Sequence, residues 1–164
     1  MVGRGKGYTL IELLIVIAIL AVLFTVGFTS YRKARWRAQV GEGLATLAAT
    51  LRDARSTAQR FNVPAQVRFT APREFTLEAK DSLGTTYRSY VRRLPPYLEL
   101  HYSKNGTTWK ATPVLGKVTY SAPFGETGAS STLFRVRHLQ NPAIDACLRI
   151  VGVTGKVVMA RACP

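Results

Sequence analysis

The chain has 164 residues and carries 23 Lys and Arg against 9 Asp and Glu, a net charge of +14. That length suits one modest domain plus an appendage, and the basic excess favours polyanionic partners such as nucleic acid, anionic lipid or cell-wall polymers. There are only two cysteines and two histidines, with no CxxC pair and no His/Cys grouping at ligand spacing, so neither a metal nor a cofactor is expected.

The first element in chain order is apolar. From Leu13 to Tyr31 there is no charged residue, about 19 positions against the ~20 that a helix needs to cross a bilayer. A secretory signal has a shorter apolar core and a small-residue cleavage site after it. Here the basic prefix MVGRGKG comes first, and the small-residue site, Gly7, precedes the run. A cut after Gly7 leaves the helix on the mature chain, with Tyr8 as its new N-terminus.

Glu12 lies at the start of this run. A carboxylate at helix-centre depth costs about 2.5–3.5 kcal/mol, and such residues are by default functional and paired; near a helix N-terminus the macrodipole favours it. The α-amino group of Tyr8 on a neighbouring subunit would be a partner, which points to an assembly of parallel helices. The alternative is an acid tolerated near the membrane interface.

The segment Gly7-Tyr8-Thr9-Leu10-Ile11-Glu12-Leu13-Leu14 resembles the prepilin cleavage and methylation motif of type IV pilins and pseudopilins. The resemblance implies removal of residues 1–7 by a dedicated prepilin peptidase and methyltransferase, N-methylation of Tyr8, and a role for Glu12 in processing and assembly with other pilins. Tyr8 stands where the family usually has Phe. Thr29 occupies the region where the family often carries a helix proline, leaving Gly27 as a weak point.

After Tyr31 the sequence continues as RKARWRAQVGEGLATLAATLRDARSTAQRF. Val40, Leu44, Leu47, Leu51, Ala54 and Ala58 recur at spacings of four and three, an amphipathic helix with one apolar stripe expected to dock on the head. Asn62 and Pro64 stop it, and a continuous helix over 8–62 would reach roughly 80 Å, with Gly41 and Gly43 expected to soften its middle. The cluster Arg32, Lys33, Arg35 and Arg37 reads either as an anchor at lipid phosphates or as a DNA contact. By the positive-inside rule it outweighs Arg4 and Lys6 and points the head to the cytoplasm; the prepilin motif and the cysteines point it outward, and the motif is given precedence.

The remainder reads as short strands: AQVRFT, EFTLEA, TTYRSYV, YLELHYS, TTWKAT, KVTYS, TLFRVRH, CLRIVG and KVVMA. Asn105-Gly106 is a type I′ hairpin signal. Cys147 and Cys163, if bonded, would close a short loop worth about 3 kcal/mol in the chain-entropy model and place the head in an oxidising compartment; otherwise they are two unrelated thiols. Tyr87, Arg88, Tyr90, Arg92 and Arg93 interleave aromatic and basic side chains as single-strand binders do, but the two tyrosines fall on opposite faces of a strand. His101 and His138 are isolated, and no G-x-S-x-G, P-loop or dinucleotide pattern occurs, so no enzyme is expected.

LRDARSTAQRFNVPAQVRF, VTYSAPFGETG and CLRIVGVTGKVVMARAC resemble H-type pseudopilins and FimT-like minor pilins. The FimT-like group includes DNA-binding subunits with a Gly-Arg-x-Arg motif near the C-terminus; here Gly155-Lys156-Val157-Val158 occupies that place, with Arg161 three residues on. Independently, strand alternation puts Arg135 and Arg137 on one face, with Arg149 opposed to Leu148 and Ile150. Arg135, Arg137, Arg149, Lys156 and Arg161 would form an outward basic patch suited to phosphate contacts without sequence preference.

The expected architecture is α+β: a leader (1–7), a transmembrane and filament-core helix (8–31), an amphipathic continuation (32–62) and a β-rich antiparallel head (63–164). The expected setting is the inner membrane with a periplasmic head, then a pilus or pseudopilus. Two roles stay open, a minor pilin that binds DNA for transformation and a structural initiator or tip subunit without DNA contact. A third, an inverted cytoplasmic DNA-binding membrane protein, is disfavoured by the prepilin site.

Overall fold

A computed structural model describes residues 9–114, 116–128, 131–160 and 163. Helix α1 spans Leu10–Phe61. Thr9 caps its start: the Glu12 N–H donates to Thr9 Oγ1 at 3.3 Å, and the Leu13 N–H donates to the Thr9 carbonyl at 3.2 Å. Thr followed by Glu three residues later is the capping-box spacing, so Glu12 has a local reason to stand where it does. At the other end Asn62 takes a left-handed φ of 53°, the conformation that closes many helices.

The chain divides into two units, one ending at Arg35 and one starting at Trp36. The N-terminal part of α1 is long and apolar enough to cross a membrane, and large side chains such as Leu10, Ile15, Leu20, Phe24 and Phe28 are exposed on the isolated chain.

In the second unit the apolar stripe of α1 is the spine of the core. Val40, Leu44, Leu47, Leu51, Ala54 and Ala58 are all buried and cluster with the inward residues of two antiparallel sheets. The first sheet has the order β3-β2-β1-β6, built from β1 (Ala65–Ala71), β2 (Glu74–Lys80), β3 (Thr86–Arg93) and β6 (Lys117–Tyr120). The second has the order β5-β4-β7-β8-β9, from β4 (Leu98–Ser103), β5 (Lys110–Ala111), β7 (Thr132–His138), β8 (Asn141–Val151) and β9 (Lys156–Ala160). A 3-10 turn, Thr112–Val114, follows β5.

Gly43 allows the helix to approach this second sheet closely. A Cβ there would lie 2.6 Å from Leu98 Cδ1 and 3.3 Å from Val136 Cγ1. The expected softness at this glycine is instead a packing contact, and α1 runs through it unbroken.

Three strand expectations are corrected. Asn105-Gly106 is not a type I′ turn: Gly106 has a positive φ, but Asn105 does not. Asn105 Oδ1 instead accepts from the N–H groups of Thr107 and Thr108 at 3.1 and 3.0 Å, organising a longer loop by side-chain mimicry of a turn. TTWKAT shrinks to the two residues of β5. CLRIVG grows backward to Asn141, with irregular pairing to β7 between Arg137 and His138 accommodating Pro142, as proline in a sheet requires.

Cys147 of β8 and Cys163 are joined in a disulfide, with Cα atoms 5.3 Å apart. The bond fastens Cys163 to β8.

Candidate functional site

Gly7, Tyr8 and Arg161 lie outside the described residues. Glu12 is in the first turn of α1, exposed among Leu10, Ile11, Leu13 and Leu14. One charge on a continuous apolar helical surface is costly in lipid unless something pairs with it.

The outward face of the second sheet places the predicted basic residues in a register that sequence alone did not reveal. Arg135 stands opposite His101 on β4 and Cys147 on β8, Arg137 opposite Glu99 and Asp145, and Arg149 opposite Leu133 and Val158. Arg137 Nη2 lies 3.5 Å from Glu99 Oε2, and Arg135 Nη1 lies 3.9 Å from Asp145 Oδ2. The Arg135 guanidinium also sits over the Trp109 ring at 4.2 Å, a cation–π contact. Half-burial pushes Arg135 below its usual range, with Asp145 opposing the shift. His101 is likewise lowered, first by burial and then by the Arg137 charge. Arg135 and Arg137 are thus held in an ion-paired lattice with Glu99 and Asp145. Glu99, contributed by a strand distant in sequence, is the member that reading the last forty residues missed.

Lys156 begins the edge strand β9 and lines a cleft with Arg52 and Arg55 of α1. Of the four predicted cations among the described residues, Arg149 and Lys156 have no ion pair to a carboxylate, so these four do not make one uniform patch.

The aromatic and basic run on β3 is also structural in part. Arg88 Nε lies 2.8 Å from Asp53 Oδ2, the Tyr90 hydroxyl donates to the same oxygen at 2.8 Å, and Arg92 stacks over the Tyr90 ring at 5.1 Å. Burial and then the Asp53 hydrogen bond raise the Tyr90 hydroxyl above its ordinary range. Tyr87, at the pairing irregularity between β2 and β3, meets Phe61 of α1 at 5.5 Å.

His138 is a core histidine. It is 1% exposed between Trp36 and Tyr97, with ring centroids at 5.4 and 5.6 Å. Its Nδ1 accepts from the Gln140 N–H at 3.2 Å, which leaves Nε2 to donate to Gln39 Oε1 at 3.2 Å. Both nitrogens are satisfied in the neutral form, and burial lowers its pKa. Among the described residues no group of three or more His, Cys, Asp or Glu is arranged to hold a metal.

Residues 4–28 match the family model described as the prokaryotic N-terminal methylation motif. The fold is that of solved pilin structures. The Pseudomonas aeruginosa (strain PAO1) type IV minor pilin FimU matches over 78% of this chain and 97% of its own, with a TM-score of 0.56 at 13% identity. The chain has a type IV pilin-like fold. The minor pseudopilin EpsH from the Vibrio cholerae type II secretion system matches over 76% of this pilin-like chain and 97% of its own, with a TM-score of 0.58 at 11% identity. At such identities the likeness carries the fold and not the residues. No curated protein matches the chain.

Proposed function

We propose that this pilin-like protein is a minor subunit of a type IV pilus or of a type II secretion pseudopilus. The observation that carries the reading is the conjunction of a methylation motif at residues 4–28 with a head in the fold of minor pilin FimU and minor pseudopilin EpsH. In this reading residues 1–7 are the leader, 8–31 the membrane and filament-core helix, 32–62 its amphipathic continuation and 63–164 the head. The prepilin peptidase cuts between Gly7 and Tyr8 and the new Tyr8 amine is methylated. Glu12 pairs with the amine of an adjacent subunit, which relieves the cost of an acid in an apolar setting. The head faces the periplasm, in keeping with the Cys147–Cys163 disulfide. The role is structural rather than enzymatic.

Incubating the full chain in proteoliposomes with a prepilin peptidase tests the processing step by intact mass. The expected product begins at Tyr8. A chain that stays uncut, or is cut after the apolar run, contradicts the reading.

A second reading, DNA contact by the head, is favoured by Arg149 and Lys156, which carry no ion pair among the described residues, and by the net charge of +14. Two phosphate contacts predict a shallow salt slope, roughly −0.9 per contact on duplex DNA. The test is DNA binding by the full chain in detergent across a salt series, beside the Arg149→Gln/Lys156→Gln variant. Binding that weakens with salt and is lost in the variant supports it; no binding at low salt, or equal binding by the variant, leaves the structural subunit alone.

A further inference from the structure

The cleft between α1 and β9 has a chemistry of its own. It encloses about 410 Å³ and is lined by Arg52, Arg55, Ser56, Gln59, Lys156 and Val157. The four helical residues fall at i, i+3, i+4 and i+7, one exposed flank of the helix beside its buried stripe. Three of the six lining residues are cationic and none is acidic. Among the described residues, none of the three cations has a carboxylate within ion-pair distance. Like charges gathered without an acid repel one another, so the arrangement costs stability unless an anion enters it.

Arg55 is a held group and not a loose surface chain. The loop between β6 and β7 comes down on its stem: a Cβ on Gly125 would lie 2.7 Å from Arg55 Cγ and 3.2 Å from its carbonyl oxygen. Gly125 can make this approach because its φ is 65°, a left-handed value natural to glycine. Gly155, just before Lys156, closes against the same loop and the Tyr120 ring, where a Cβ would lie 2.8 Å from the Gly125 carbonyl oxygen and 2.9 Å from Tyr120 Cε1. The two glycines thus pack the loop onto Arg55 and beside the start of β9.

A donor is left over at this place: Arg55 Nε is buried without a hydrogen-bond partner. Buried donors are rarely left unmatched. Gln59 spends one amide hydrogen on the Phe124 carbonyl at 2.9 Å and keeps its second.

We infer that this cleft is an oxyanion site for a phosphate ester, with Arg52, Arg55 and Lys156 as the charged donors. Phosphate suits it because a guanidinium matches tetrahedral oxygens in a two-point fork, and Lys adds a point charge. The volume is on the order of ten waters, at about 30 Å³ each, which leaves room for the group esterified to the phosphate. The inference does not rest on the filament reading, and its failure leaves that reading intact.

The test is isothermal titration of the full chain in detergent with pyrophosphate at low salt. Wild type is expected to bind. Arg52→Gln/Lys156→Gln, which alters two exposed side chains, is expected to weaken binding at least tenfold with the thermal midpoint preserved, while Lys80→Gln, on an exposed side chain outside the cleft, leaves it unchanged. No binding by wild type, or equal binding by the double variant, overturns the site. A short oligodeoxynucleotide that displaces pyrophosphate would assign the ester to a nucleic-acid backbone; failure to displace would assign it to a free phosphate ester, and either supports the oxyanion assignment.

Discussion

Single residues set where this pilin-like head is vulnerable. His138 is buried neutral with both ring nitrogens engaged, and its pKa lies below the ordinary 6.5. The unfolded chain therefore takes up the proton first as pH falls. Stability is full above about pH 6.5 and declines as pH drops from there toward the folded value. Urea unfolding of the full chain in detergent between pH 7.5 and 5 is expected to show this loss, and His138→Gln to reduce its steepness; an unchanged slope in the variant would remove His138 as the cause. His101, lowered by burial and by Arg137, adds in the same direction. At Gly43 the expectation is steric. Gly43→Val puts atoms where Leu98 and Val136 already sit, and overpacking of this kind costs about 1–3 kcal/mol. A denaturant midpoint equal to wild type would mean that the sheet can retreat from the helix.

At the scale of elements, the Cys147–Cys163 bond ties Cys163 to β8. Replacing both cysteines by serine is expected to cost about 2–5 kcal/mol, read as a lower midpoint in chemical denaturation, with wild type under reductant falling to the same value. Elements of this kind were readable where the local rule was unopposed. The spacing of Val40, Leu44, Leu47, Leu51, Ala54 and Ala58 named the buried stripe because helical period is set within one element. The Asn105-Gly106 turn was misread because Asn105 uses its side chain to hold the loop, a choice dipeptide identity does not reveal. The β8 start was missed because Pro142 argues against a strand unless pairing irregularity is known. The basic patch was readable only by half. Alternation placed Arg135 and Arg137 on one face, but their partner Glu99 comes from β4, and cross-strand register between distant segments is not written in either segment. The cleft of Arg52, Arg55 and Lys156 joins a helix to an edge strand about a hundred residues later, and only the fold brings them together.

For the whole molecule, the proposed role is a filament subunit processed at its N-terminal motif, with a head built as a disulfide-fastened sheet pair on the helix. Large side chains of the apolar part of α1 are exposed among the described residues, and Glu12 sits exposed in its first turn; in the proposed filament a neighbour's helix would cover both. The measurement that tests this most directly is mass spectrometry of filaments sheared from cells that make the protein, beside cells carrying Glu12→Ala. The account predicts the wild-type chain in the filament fraction, starting at an N-methylated Tyr8, and the Glu12→Ala chain left in the membrane. A wild-type chain found only in the membrane with residues 1–7 still attached would contradict it.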